Sequence, residues 1–118
     1  MHELSIAQAL VEQVDEALSR AGGGRALRVT VKVGALSGVD GDALDMAFPV
    51  AAEQTACAGA ELLIELIPAA AHCGDCGRDC EPPFPFIVCE HCGSQNVDVT
   101  AGRELTLSSI EISTDLAS

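Results

Sequence analysis

Two short cysteine motifs constrain this chain more than any other feature of its sequence. Cys73-Gly-Asp-Cys76-Gly and Cys89-Glu-His-Cys92-Gly are C-x-x-C-G knuckles with twelve residues between them. A two-residue spacing lets one tight turn direct both sulfurs at the same ion, and the following glycine permits a positive φ angle. Two knuckles supply four sulfurs, which predicts a closed tetrahedral zinc site. An iron site can use the same ligands, whereas a redox dithiol is disfavoured because one knuckle would be enough for it.

The segment that carries the knuckles, residues 72–96, shows neither helical nor alternating periodicity. A hydrophobic core is therefore not expected to hold it together, and a bound metal ion is the expected cross-link. Because four cysteines leave no open coordination position, we expect zinc to be structural rather than catalytic.

Four further side chains near this segment or outside it need an interpretation. Cys57 is expected to be a small buried hydrophobic residue. Cys80 lies between the knuckles and is a candidate substitute ligand, although its spacing from Cys76 fits less well. His72 and His91 flank knuckle cysteines, and we expect them to face solvent. The alternative is that these histidines support the site or replace a ligand as the pH changes.

Hydrophobic periodicity predicts two helices in the rest of the chain. Apolar residues recur at spacings of three and four from Ser5 to about Arg20, which predicts an amphipathic helix preceded by a free arm at residues 1–4. A second helix is expected to begin at a capping carboxylate, either Asp40 or Asp42. We expect Pro49 to kink that helix or end it early, because proline removes a backbone donor.

Three segments have the character of β-strands. Residues 27–33 alternate between apolar and polar side chains, which is typical of a half-buried strand. Residues 61–67 are apolar on both faces, as expected for an inner strand, and residues 105–112 regain a strand pattern. The last strand needs partners that lie before residue 70, so we expect it to return to the first sheet.

These elements predict an α+β fold of two layers, in which a small mixed three-stranded sheet packs with two helices and a four-cysteine zinc ribbon is inserted. The domain boundaries expected from this reading place residues 1–70 and 100–118 in the α/β domain. Residues 71–99 form the inserted zinc-binding domain.

The charge of the chain excludes some classes of partner. There are 18 acidic and 6 basic residues, giving a formal net charge of −12, which cannot form the cationic surface that nucleic acids or anionic membranes require. A hydrophobic fraction of 48% excludes intrinsic disorder. The amino terminus lacks a basic segment followed by an apolar one, and no apolar run is long enough to span a membrane, so we expect a cytoplasmic protein.

The first three residues, Met1-His2-Glu3, can chelate a metal ion. The amine of Met1, the backbone nitrogen of His2 and the His2 imidazole can form fused chelate rings, which a carboxylate from Glu3 or a nearby loop could complete. Nitrogen and oxygen donors in a near-planar array suit Ni(II) or Cu(II) better than zinc. These residues alone do not distinguish such a site from an exposed histidine.

Several motifs, taken together and in order, resemble the HypA/HybF family of hydrogenase maturation nickel metallochaperones. They are Met1-His2-Glu3, residues 33–39 (VGALSGV), Ala47-Phe48, the paired knuckles, and Gly102-Arg103-Glu104-Leu105 before Ile110-Glu111-Ile112. The resemblance covers essentially the whole chain. It implies a nickel-binding α/β domain with an inserted zinc domain, acting in nickel insertion into [NiFe]-hydrogenase and, in some organisms, urease.

The resemblance also assigns roles to particular residues. His2 is implied to be the key nickel ligand, joined by backbone nitrogens of Met1, His2 and Glu3. Glu3 is implied to contribute through its backbone or its carboxylate, and Asp40 matches a position that can supply an extra oxygen ligand. The zinc ligands that it implies are Cys73, Cys76, Cys89 and Cys92.

The implied partners are a GTPase of the HypB type and the large subunit of a [NiFe]-hydrogenase, with no nucleic acid and no membrane. The protein is expected to be a monomer or a homodimer, and not an enzyme, because its residues offer no nucleophile, base and orienting group in combination. The alternative function is a zinc-ribbon adaptor or a transcription-associated interaction module without nickel.

Overall fold

Two helices and two small three-stranded sheets make up the described part of the chain. The structure, a computed structural model, describes residues 2–83 and 86–113. Its elements in chain order are α1 (His2–Arg20), β1 (Arg25–Gly34), α2 (Gly41–Ala52), β2 (Glu61–Ile67), β3 (Ala70–Cys73), β4 (Asp79–Cys80), β5 (Val97–Ala101) and β6 (Leu105–Ser113). The strand orders are β2-β1-β6 and β4-β3-β5. The predicted α+β class is confirmed.

The described residues divide into two compact units. The first, here called the helical unit, contains the residues up to Val31, Asp40–Glu65 and those from Thr106 onward. The second, here called the cysteine unit, contains Lys32–Val39 and Leu66–Leu105.

The core of the helical unit forms where both helices pack against apolar side chains of the first sheet. Its fully buried members are Val11, Val14, Leu18, Ala26, Val29, Phe48, Ala52 and Cys57. Burying a side chain the size of Phe48 contributes roughly 1.5–3 kcal/mol relative to exposure. Among the described residues, neither helix has the length and apolar character needed to cross a bilayer.

Helix α1 begins earlier than the sequence predicts. The prediction of a free arm at residues 1–4 is wrong for residues 2–4, because α1 starts at His2. The Glu3 carboxylate accepts a hydrogen bond of 3.3 Å from the backbone N–H of Asp40. An acidic side chain in the first turn also interacts favourably with the positive end of the helix dipole. A residue far along the chain therefore helps to fix the start of α1.

Asp40, rather than Asp42, caps helix α2. Its Oδ1 accepts hydrogen bonds from the backbone N–H groups of Asp42 at 3.0 Å and Ala43 at 3.3 Å. Pro49 does not end the helix early, since α2 continues to Ala52. Phe48, just before Pro49, and Ala52, three residues after it, are both buried, so tertiary packing offsets the missing backbone donor.

The first sheet has β1 at its centre and β2 at one edge. The expectation that residues 61–67 form an inner strand is therefore wrong, although their bounds as a strand are confirmed. Leu66, on the face that Leu62 and Ile64 share, is 72% exposed, and Leu63 on the other face is 40% exposed. The predicted return of the last strand is confirmed, because β6 lies beside β1.

The cysteine unit contains a small sheet that the sequence did not predict. Strand β3 pairs antiparallel with β4, with Ala71 opposite Cys80, and with β5, with Cys73 opposite Val97. Strands of two to five residues are too short to produce a recognisable alternation.

Candidate metal centre

The four knuckle sulfurs converge in the cysteine unit. The Sγ atoms of Cys73, Cys76, Cys89 and Cys92 all lie within 4.8 Å of one another. Two pairs across the knuckles, Cys73 with Cys92 and Cys76 with Cys89, have Sγ–Sγ distances of 3.7 Å. A tetrahedron with metal–sulfur bonds of about 2.3 Å has edges of about 3.8 Å. The cluster therefore fits one tetrahedral ion.

Both knuckles have the same backbone geometry. The N–H of Gly77 donates to the carbonyl oxygen of Cys73 at 3.0 Å, and the N–H of Gly93 donates to that of Cys89 at 2.8 Å. These glycines have φ angles of +74° and +75°, the left-handed conformation expected for them. The backbone N–H of Cys76 also donates to the Cys73 sulfur at 3.5 Å. The turns thus direct both sulfurs of each knuckle towards one position.

The sulfurs differ in how readily they ionise. The backbone N–H of Cys92 is the main cause that lowers the pKa of the Cys89 thiol to about 6. The backbone N–H of Cys76 lowers the pKa of Cys73 in the same way. For Cys92, a hydrogen bond from Ser94 lowers the pKa, but lost hydration and the neighbouring sulfurs raise it overall. The first, buried cysteine of each knuckle is therefore the more readily ionised thiol.

His72 and His91 lie beside the cluster and are exposed, as predicted. The His72 Nδ1 atom is 2.9 Å from a carboxylate oxygen of Asp79, and the His91 Nε2 atom is 3.2 Å from the Asp79 carbonyl oxygen. Among the described residues, the group of potential ligands around the metal position contains cysteines only. Both histidines therefore contact β4 through Asp79.

The two cysteines outside the knuckles are both buried. Cys57 belongs to the core of the helical unit, where burial raises the pKa of its thiol, and this confirms its interpretation as a small hydrophobic residue. Cys80 is 4% exposed and packs with Cys73 and Cys89 in the core of the cysteine unit. Burial raises the pKa of Cys80, and the Cys89 sulfur raises it further.

Three of the four residues that the resemblance assigns to nickel lie near each other in the helical unit. The His2 Nε2 atom is 3.5 Å from Oε2 of Glu3, and the same oxygen accepts the hydrogen bond from Asp40. The His2 side chain is 62% exposed, whereas that of Glu3 is 13% exposed. The Asp40 N–H is the main cause that lowers the pKa of Glu3. Met1, the fourth residue, lies outside the described residues.

Together, the α+β scaffold and the four-sulfur cluster define a small metal-binding protein. A family model described as "Hydrogenase/urease nickel incorporation, metallochaperone, hypA" matches residues 1–112. The chain belongs to this HypA family, and the resemblance predicted from its motifs is confirmed.

Individual relatives match over nearly the whole chain. A HypA hydrogenase maturation factor of Chlorobium limicola is 42% identical over 112 residues, covering 95% of this chain and 97% of that protein. One from Synechococcus elongatus is 39% identical, covering 95% and 99%. The solution structure of the Ni metallochaperone HypA from Helicobacter pylori matches with a TM-score of 0.69 and 32% identity, covering 95% and 97%.

Proposed function

We propose that this chain binds Ni(II) at its amino terminus and delivers it during maturation of a [NiFe]-hydrogenase, or of urease in some organisms. The observation that carries the proposal is the contact of His2, Glu3 and Asp40 in a member of the HypA family. The exposed His2 imidazole can exchange its metal with an acceptor. The more buried Glu3 holds the start of α1 beside Asp40.

The position of His2 at the start of α1 favours nickel binding by backbone nitrogen. The first N–H groups of a helix have no intrahelical acceptor, so the N–H of His2 is not needed for the helix. An amide nitrogen that loses its proton to bind a metal becomes negatively charged, and the helix dipole stabilises negative charge at this end. With the Met1 amine, the His2 imidazole and a carboxylate, the donors suit Ni(II).

Zinc is proposed as the resident ion of the cysteine cluster, held by Cys73, Cys76, Cys89 and Cys92. When bound, it supplies a structural cross-link with no open coordination position. Around the knuckles, the described residues form a small buried cluster of Ala71, Cys73, Cys80 and Cys89 with Val97 packed against it, so few apolar contacts are present to stabilise this part of the unit. We propose residues 71–99 as the inserted zinc domain, with residues 1–70 and 100–118 as the nickel domain.

The proposed partners are a HypB-type GTPase and the hydrogenase large subunit, in the cytoplasm, with the chain as monomer or homodimer. A surface with a net charge of −12 favours partner surfaces that are basic where they dock. Affinity for such a partner should therefore fall as salt concentration rises, which a binding titration at several ionic strengths can measure.

Nickel titration and metal analysis of the untagged protein test the proposal. We expect one zinc and one nickel per chain, because the two sites use different donors. His2→Ala should abolish nickel binding and retain zinc, whereas His72→Ala, which removes another exposed histidine, should retain both. Stoichiometric nickel in His2→Ala would refute the assignment, and zinc without nickel uptake in the unaltered chain would favour the adaptor function.

A pair of neighbouring carboxylates tests the role of Asp40. Asparagine caps helices about as well as aspartate, so Asp40→Asn removes the charge while keeping the α2 cap. Asp42→Asn makes the same charge change two residues further along, in the first turn of α2. We expect only Asp40→Asn to weaken nickel binding in calorimetry, while the melting temperature falls slightly and by a similar amount in both, because each loses one negative charge at the N-terminus of α2. Equal affinities for the two variants would show that Asp40 is not a ligand.

A further inference from the structure

A side chain of the first knuckle continues the connection between the two knuckles beyond the point where strand pairing ends. Strand β3 pairs with β5 as far as Cys73, which lies opposite Val97. One more backbone bond follows, from the N–H of Gly74 to the carbonyl oxygen of Asn96 at 2.8 Å. The next residue of the first knuckle, Asp75, extends this connection with its carboxylate.

The Asp75 carboxylate accepts a hydrogen bond at each oxygen. The Ser94 hydroxyl donates to Oδ2, and the Nδ2 atom of Asn96 donates to Oδ1 at 3.2 Å. The Oγ atom of Ser94 also accepts a hydrogen bond of 2.9 Å from the backbone N–H of Asn96. A hydroxyl group donates one proton and accepts at its lone pairs, so all three bonds form together. We call Asp75, Ser94 and Asn96 the Asp75 clamp.

Each end of the Asp75 clamp is attached to a different knuckle. Asp75 lies between the two cysteines of the first knuckle, whereas the carbonyl oxygen of Ser94 accepts a hydrogen bond of 2.8 Å from the backbone N–H of Cys89 in the second. Both sulfur pairs that are 3.7 Å apart have one member in each knuckle. Because thiolates repel one another, the sulfurs alone do not maintain this separation, and the clamp spans the same gap.

Gly74 leaves the space that the clamp occupies. A Cβ atom at Gly74 would lie 2.7 Å from Nδ2 of Asn96 and 3.2 Å from its Cγ. A side chain at position 74 would therefore displace the amide group that reaches Asp75. The glycine next to Cys73 thus allows Asn96 to approach the first knuckle.

We propose that Asp75 is a positioning residue that holds the two knuckles at the separation at which one ion binds all four sulfurs. The inference rests on the zinc site proposed above. Asp75 acts through Ser94 and Asn96, and it is not itself a metal ligand. Without the clamp, closing the four-sulfur site has fewer favourable contacts, so zinc binds more weakly to the same four cysteines.

Competition with a chromogenic chelator measures the zinc affinity of the full-length protein. We expect Asp75→Ala to weaken zinc binding about ten-fold, because it removes two hydrogen bonds that each change an equilibrium by roughly two- to ten-fold. Asp98→Ala removes an exposed carboxylate of β5 in the same unit and should leave the affinity unchanged. Equal affinities for Asp75→Ala and the unaltered chain would overturn the inference. Failure of the unaltered chain to bind zinc would instead overturn the proposed zinc site.

Asp75→Asn distinguishes the hydrogen bonds from the negative charge. An asparagine side chain can accept from Asn96 and donate to Ser94, so it retains the clamp without the charge. We therefore expect Asp75→Asn to recover most of the affinity that Asp75→Ala loses. A loss as large as that of Asp75→Ala would show that attraction between the carboxylate and the ion is responsible, and would contradict the positioning role.

Changes at Ser94 test the clamp from the second knuckle and leave Asp75 in place. Ser94→Ala should also weaken zinc binding, whereas Ser94→Thr keeps a hydroxyl group and should restore it. Combining Ser94→Ala with Asp75→Ala should add little to either change, because both remove the same contact. Fully independent effects in the double variant would argue against a shared clamp.

Cobalt substitution separates positioning from ligation. Sulfur-to-Co(II) charge-transfer absorption grows with each thiolate ligand, so its intensity at saturating cobalt reports the ligand set. We expect the same intensity in Asp75→Ala and in the unaltered chain, because the four cysteines remain the ligands. A lower intensity in Asp75→Ala would show that the change removes a ligand, and would overturn the inference.

Discussion

Gly34→Ala should destabilise the cysteine unit strongly, because two backbone segments cross at Gly34 with no room for a methyl group. A Cβ atom at this position would lie 2.1 Å from the carbonyl oxygen of Gly102 and 2.7 Å from the nitrogen of Arg103. Ordinary contact to a Cβ begins near 3.4 Å, so the backbones would have to separate by about 1.3 Å. These neighbours are backbone atoms and cannot rotate away.

The magnitude follows from the contacts that this separation breaks. The N–H of Gly34 donates to the carbonyl oxygen of Glu104 at 2.7 Å, and the N–H of Leu36 donates to that of Gly102 at 2.6 Å. Losing two backbone hydrogen bonds costs about 1 kcal/mol each, and overpacking adds about 1–3 kcal/mol. The expected loss of about 3–5 kcal/mol is a large part of the 5–15 kcal/mol that roughly spans domain stabilities.

Urea unfolding followed by circular dichroism measures the effect. A loss of this size lowers the midpoint by about 1 M or more, given slopes of roughly 1–3 kcal/mol per M. Gly38→Ala is the matched control in the same unit. Its Cβ would meet nothing within 4 Å, and only its φ of +79° is strained, which costs roughly 1–2 kcal/mol. A Gly34→Ala protein as stable as Gly38→Ala would refute the steric reasoning.

Three further predictions concern the core, the amino terminus and the metal. Phe48→Ala should lower the free energy of unfolding by about 3–5 kcal/mol in urea titrations, because it empties a fully buried site, and a loss below 1 kcal/mol would contradict that packing. Because the pKa of Glu3 is lowered from its usual 4.5, the Glu3 carboxylate is charged and its contact with Asp40 is complete above pH 4.5. The contact is lost as the pH falls through the lower pKa that Glu3 has in the folded protein. The Asp40 amide NMR shift should therefore change more below pH 4.5 in the unaltered chain than in Glu3→Gln, and equal changes in the two would contradict the contact. Removing zinc with a chelator should abolish hydrogen-exchange protection in β3 and β5 while α1 and α2 keep theirs, and unchanged protection in β3 would argue against a structural ion.

Features set by neighbouring residues could be predicted from the sequence. The knuckle turns depend on spacing within a few residues, and the positive φ angles of Gly77 and Gly93 agree with the prediction. The strand at residues 61–67 and the two amphipathic helices follow from local periodicity. Local periodicity predicts these elements because the apolar side chains that form the pattern are also the ones that pack into the core.

Features that depend on distant residues could not be predicted in the same way. The start of α1 at His2 involves a hydrogen bond from Asp40, which no pattern in the first five residues reveals. The edge position of β2 was misread because apolar residues on both faces resemble an inner strand, although Leu66 is largely exposed. The small sheet around the cysteines has strands too short for periodicity.

The knuckle spacing, the two helices, the strands of the first sheet and, through its motifs, the HypA family could all be inferred from the sequence alone. The contacts of Glu3 with Asp40, of Gly34 with Gly102, and of Cys80 with Cys73 and Cys89 are visible only in the folded chain. The difference lies in how far apart the interacting residues are along the sequence. Spacing and periodicity act over a few residues, whereas these contacts join segments brought together only when the chain packs.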